Sequence, residues 1–163
     1  MTDLDHARLM IEHALALVSW ETERPIDTLR EALRAGDNAI HSLFRYRLAG
    51  IVARELGKHA LKVYVYGSPM ENRGRLDSDI DLLVVARRDA QFARRLLQEL
   101  DRALTWAYAE LVAPAAADLD YLLDFHLVTE SDVRRRRGYA ALITDPRALP
   151  PEKIYDRTAD VAT

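Results

Sequence analysis

Two carboxylates one residue apart inside an apolar run are the residues best placed to do chemistry: Asp79 and Asp81 in "DIDLLVVA". Residues two apart on a strand share a face, so both project together while Ile80, Leu82 and Val84 turn to the core. Adjacent carboxylates repel, and one tends to keep its proton unless a cation sits between them. Burying them unpaired is costly. Magnesium prefers oxygen ligands, commonly one or two carboxylates together with substrate phosphates. The pair therefore suits a metal ion that holds a nucleoside triphosphate.

Upstream, "KVYVYGS" ends in Gly67-Ser68, with ten residues between Ser68 and Asp79. Glycine lets backbone come close to a phosphate. A serine hydroxyl and nearby amides can hydrogen-bond phosphate oxygens. A third carboxylate is expected from a neighbouring strand, where Asp118, Asp120 and Asp124 share one parity in "DLDYLLDFHLV". Asp124, between Leu123 and Phe125, is the choice, because an unpaired carboxylate is hardest to tolerate in mid-strand. Asp118 and Asp120 fall near the strand's start, within reach of water.

The elements that must position these residues follow from periodicity. Leu4, Ile11, Leu15 and Val18 recur at helical spacing. Their stripe is expected to pack on the chain's own second helix, which Pro25 is placed to open. Asp37 suits the N-cap of a third helix whose apolar face runs from Ile40 to Leu56, and Gly57 suits its stop. "LKVYVYG" alternates, with Leu61, Val63 and Val65 on one side and Lys62, Tyr64 and Tyr66 on the other. "DIDLLVVA" is the second strand. Asp89 can cap a long helix with Phe92, Leu96, Leu100 and Leu104 on its apolar face, and Pro114 lies beyond its end. "DLDYLLDFHLV" is the third strand, Thr129 to Ile143 one short helix, and "KIYD" a small edge strand. Helices, two strands, a helix, a strand and a helix in that order define an α+β fold, a small mixed sheet flanked by helices. Residues 1–58 form an N-terminal helical segment that packs on or extends the core, 59–145 the sheet domain, and 146–163 a C-terminal tail.

Gly67-Ser68, the ten-residue spacing and Asp79-Ile80-Asp81 together resemble the signature of the polymerase-β-like nucleotidyltransferase superfamily. The form is similar to the minimal nucleotidyltransferases, the MNT proteins. "LLDFHLVTES" resembles the family's third strand and places the third acidic residue at Asp124. The resemblance implies that Asp79, Asp81 and Asp124 bind magnesium, two ions in all, and that Asp124 helps to activate the attacking hydroxyl. It implies that Gly67 and Ser68 hold the triphosphate of ATP or another nucleotide. The implied reaction moves a nucleoside monophosphate to a hydroxyl, with loss of pyrophosphate. Many MNT proteins are antitoxins to HEPN-domain ribonucleases, and some adenylylate a toxin tyrosine. The resemblance thus implies a HEPN-type partner, with aminoglycoside-type transfer and a non-catalytic binding antitoxin as the alternatives.

Other chemistry-bearing residues have plainer readings. His126 shares the parity of Asp124 and is expected to be a partly buried structural histidine. Arg134 to Arg137 on a helix would fan around its circumference as a solvated surface. Arg73 and Arg75 beside the proposed site could meet phosphate, and exposure is their ordinary role. Tyr64 and Tyr66 are expected to pack.

Composition bounds the rest. The 163 residues suit one compact domain, and 49 % hydrophobic residues supply a core. A net charge of -3 argues against a globally basic nucleic-acid binder. The absence of cysteine removes disulfides and zinc-thiolate sites and fits a cytoplasmic protein. The start, "MTDLDHARLM", is acidic where a secretory signal would be basic, and no run is long enough to span a bilayer. A homo-oligomer stays compatible with all of this.

Overall fold

The computed structural model describes residues 3–67, 74–87, 90–112, 114, 119–145 and 150–158. Helix α1 spans Asp3–Thr22, α2 Ile26–Arg34 and α3 Asn38–Leu56. Strand β1 covers Ala60–Tyr66 and β2 Ile80–Ala86, followed by helix α4, Ala90–Leu111. Strand β3 is Leu123–Val128, helix α5 Glu130–Arg135 and strand β4 Glu152–Asp156. The four strands form one sheet in the order β3-β2-β1-β4, with β2 and β3 parallel and the other pairs antiparallel. This is the α+β fold expected, a mixed sheet flanked by helices.

Local chemistry explains the helix ends. The Asp37 carboxylate accepts from the Ile40 amide at 3.1 Å and so caps α3. Pro25 sits at the N-cap of α2, one residue before the first turn. Gly57 closes α3 with a positive φ.

Helices α3 and α4 lie on one face of the sheet, and α1 and α2 pack against them. Ile11, Leu15, Val18, Leu29, Leu33, Phe44, Leu48, Leu97 and Leu104 meet Val63, Val65, Ile80, Leu82, Val84 and Leu123 in one continuous core. The stripe of α1 packs mainly on α4 and α3 and less on α2, its expected partner. The Arg8 guanidinium ties α1 to Glu110 of α4 at 3.0 Å. The opposite face carries a smaller cluster of Tyr64, Leu83, Val85, Val128 and Ala140. No helix among the described residues is long and apolar enough to cross a membrane.

Five expectations need correction. A register shift between Ala60 and Lys62 turns Leu61 to the side of Tyr64 and Tyr66, away from Val63 and Val65. Strand β3 starts only at Leu123, and Asp120 lies exposed before it. The helix expected from Thr129 to Ile143 is two pieces. The Thr129–Asp132 capping box starts α5, but Arg136 adopts a left-handed conformation (φ 51°) and ends it. A short 3-10 segment, Gly138–Thr144, follows, so Arg136 and Arg137 are not part of α5's surface. Phe92 is 41 % exposed and lies against His59, ring centroids 4.2 Å apart, outside the apolar face of α4. Asp89, Asp118, Ser68 and Arg73 lie outside the described residues.

Candidate active site

Strand alternation delivers the acidic residues to one place. Tyr66 pairs with Asp81 across β1 and β2, and Asp81 pairs with Asp124 across β2 and β3. The three side chains form a row on the face away from the helical core. Asp79 immediately precedes β2 and joins them. Each of Asp79, Asp81 and Asp124 offers a carboxylate oxygen within 4.8 Å of the others, and all three are half-buried. Asp120 stays outside the cluster.

Electrostatics registers this crowding. Burial pushes the Asp81 carboxyl up to about 7, aided by the charges of Asp79 and Asp124 and a hydrogen bond with Asp124. Asp79 is also raised, by burial and then by Asp124, against the lowering effects of its backbone hydrogen bond, Arg45 and the Tyr121 hydroxyl. Burial and the same carboxylates raise the Tyr66 phenol. Hard oxygens gathered against their own repulsion are the donor set a divalent cation such as magnesium takes. The residues therefore fit the metal that the sequence pattern implies.

Gly67 ends β1 beside this row with φ +76°, and a Cβ there would overlap the Asp81 carboxylate. Only glycine leaves both that conformation and that space. Two residues along β3 from Asp124, His126 approaches it with Nε2 3.5 Å from Oδ1 and stacks on Tyr139, ring centroids 3.5 Å apart. His126 is thus partly buried and structural in its packing, while lying next to the carboxylate row.

Two helices hold the strand starts from behind. Asp101 Oδ1 of α4 accepts from the amides of Leu122 and Leu123 at 2.8 and 2.7 Å, and Thr105 Oγ1 accepts from Leu122 at 3.0 Å. Arg45 of α3 grips the segment before Asp79 in the opposite sense, donating to the Ser78 and Leu76 carbonyls. None of these residues, nor Tyr121, stood out in the sequence. For Arg45 a signal existed: with His41 it occupies core positions of the α3 stripe, where an apolar residue is expected.

The parallel pair β2 and β3 thus presents, beside the glycine that ends β1, three carboxylates that could hold a divalent cation, on an α+β fold. The comparisons with known proteins specify the family. Residues 46–141 match the nucleotidyltransferase domain, and the chain belongs to that family. The match begins within α3 and runs past α5, so it takes in all three carboxylates and is consistent with the polymerase-β-like superfamily. No curated protein and no solved structure matches the chain.

Proposed function

We propose that the protein transfers a nucleoside monophosphate, AMP from ATP, to a hydroxyl in a magnesium-dependent reaction. The hydroxyl is assigned to a HEPN-type toxin partner, following the resemblance to the MNT proteins. The observation that carries the transfer reading is the cluster of Asp79, Asp81 and Asp124 within 4.8 Å at the end of the sheet where Gly67 closes β1. When bound, divalent ions would supply Lewis-acid stabilisation of the attacking and leaving oxygens.

The chain's own residues have separate tasks. Asp79 and Asp81, presented by the start of β2, would hold the ions. Asp124 would hold one as well and accept the proton of the acceptor hydroxyl. The hydroxyl oxygen bonds to the α-phosphorus, the α–β anhydride bond breaks, and pyrophosphate departs with the bonding electrons. The bare glycine at position 67 leaves backbone open to the triphosphate, and Ser68 would donate to it. The half-buried setting strengthens each of these contacts relative to open water.

The test is direct. Purified protein with magnesium, α-phosphate-labelled ATP and a host-cell lysate should label one protein band, and the Asp79→Asn variant should not. Label on a small cationic antibiotic in place of protein would move the acceptor to the aminoglycoside alternative. Magnesium-dependent ATP binding with no label on any acceptor would point to the binding antitoxin.

A further inference from the structure

We propose that α3 sets the geometry of the carboxylate cluster through Arg45, a positioning residue that fixes the backbone entering β2. The inference rests on the metal-binding reading of Asp79, Asp81 and Asp124. Arg45 is 0 % exposed. Its Nε donates to the Ser78 carbonyl at 2.9 Å, and Nη2 donates to the Leu76 carbonyl at 3.1 Å. One planar fork therefore grips two carbonyls two residues apart, a geometry that lysine cannot reproduce.

The Ser78 carbonyl belongs to the peptide plane that ends at the Asp79 Cα. That plane is rigid, so holding its oxygen orients the bond from which the Asp79 side chain departs. On the far side, the Ile80 amide donates to Leu122 at 2.7 Å, which ties the next residue to the segment leading into β3. Asp79 is thus fixed between the guanidinium and the sheet.

The guanidinium is itself held. Nη2 also donates to the Tyr108 hydroxyl at 3.1 Å, and that hydroxyl donates to Leu76 at 2.9 Å. Nη1 donates to His41 Nδ1 at 2.8 Å. Arginine can only donate, so Nδ1 accepts, and the imidazole proton resides on Nε2, 2.6 Å from the Leu33 carbonyl. One turn away, Ser42 Oγ accepts from the Gly74 amide at 2.9 Å. A Cβ on Gly74 would press into the backbone of Ser42. The α3 helix therefore reads the backbone of residues 74–78 at three points. Burying a charge costs several kcal/mol and is a poor route to stability alone. A site that depends on one loop conformation gives that expense a purpose.

The experiment compares Arg45→Lys and Tyr108→Phe with Val18→Ala, a core change in α1 whose side chain makes none of these hydrogen bonds. Each metal-free protein is measured for melting temperature, amide exchange at residues 76–80 and Mn2+ binding without nucleotide, and for kcat and KM in transfer. Both clamp variants should exchange faster at Asp79 and Ile80, weaken Mn2+ binding about tenfold and lower kcat more than they raise the KM for ATP. Val18→Ala should melt earlier and keep wild-type exchange and Mn2+ affinity. Clamp variants that lose only melting temperature would overturn the inference. Should Arg45→Lys fail to fold, Tyr108→Phe decides alone, because it removes one hydroxyl. A wild type that binds no Mn2+ would overturn the metal reading itself, an outcome distinct from unchanged affinity across the variants.

Discussion

Along β2, Ile80, Leu82 and Val84 enter the helical core, while Asp81 faces the other way with Leu83 and Val85 beyond it. The same alternation runs through β3, where Leu123 is buried under the helices and Asp124 is not. One face is covered by α3 and α4, with α1 and α2 packed behind them, and its buried residues are apolar. The other is apolar only at the end nearest Val85 and Val128, and acidic at the end nearest Gly67. The two faces share every backbone atom, so stability and chemistry are assigned by parity. A slip of one residue in β2 would bury Asp81 and expose Leu82, and the large core on one side guards against that slip.

The sharpest way to break the contrast is on the acidic face. Asp79→Asn and Asp81→Asn should each lower transfer on the order of a thousandfold, several kcal/mol of lost charge stabilisation, with folding retained. Rate measurements beside circular dichroism would check this, and full activity in both variants would remove the metal assignment. On the apolar face, Leu15→Ala should lose about 3 kcal/mol of stability and leave Mn2+ affinity unchanged, as read by urea titration and direct metal binding.

Two pH effects sharpen the comparison further, because they oppose one another. His41 lies buried behind the loop, and burial followed by the Arg45 charge lowers it to about 4 from 6.5. The unfolded chain therefore takes up a proton between pH 6.5 and 4 that the folded chain refuses. Stability from His41 is complete above that window and falls by roughly 2–3 kcal/mol on acidification. Asp81 is raised, so the metal-free folded chain keeps a proton that the unfolded chain releases above about pH 4. Its contribution is complete in acid and is lost as pH rises towards 7. Asp81→Asn should consequently stabilise the metal-free protein by roughly 1–2 kcal/mol at pH 8, and its stability should fall more steeply with acid than that of the wild type. Denaturant titrations at pH 4, 6 and 8 would check both signs.

Much of this was legible in the sequence, for physical reasons. Strand parity needs only neighbouring residues, so the shared side of Asp79 and Asp81 and the core-facing Ile80, Leu82 and Val84 could be read directly. The cap at Asp37 and the stop at Gly57 are likewise local. What escaped reading was non-local or conformational. The bulge that turns Leu61 depends on pairing with β2 and β4. The break at Arg136 depends on a left-handed residue that no glycine announces. The grip of Arg45 on Ser78 joins residues 33 positions apart, and Asp101 reaches Leu122 across 21. Such side-chain-to-backbone contacts leave no periodicity. Their only trace is a polar residue in an apolar stripe.

Strand β4 completes the sheet in a different manner from the rest. It pairs with β1 over nearly a hundred residues of intervening chain, Lys62 opposite Asp156, and Tyr155 reaches back to the Gly57 carbonyl at 3.3 Å. Closing so large a loop surrenders chain entropy before any pairing returns it, which places this edge late in folding. The helices and the other three strands can assemble without it, acidic row included. We therefore expect Ile154 and Tyr155 to be among the first strand amides to exchange in native conditions and the last to gain protection during refolding. Pulse-labelling that found them protected together with Val63 and Leu82 would show the sheet closing as one unit.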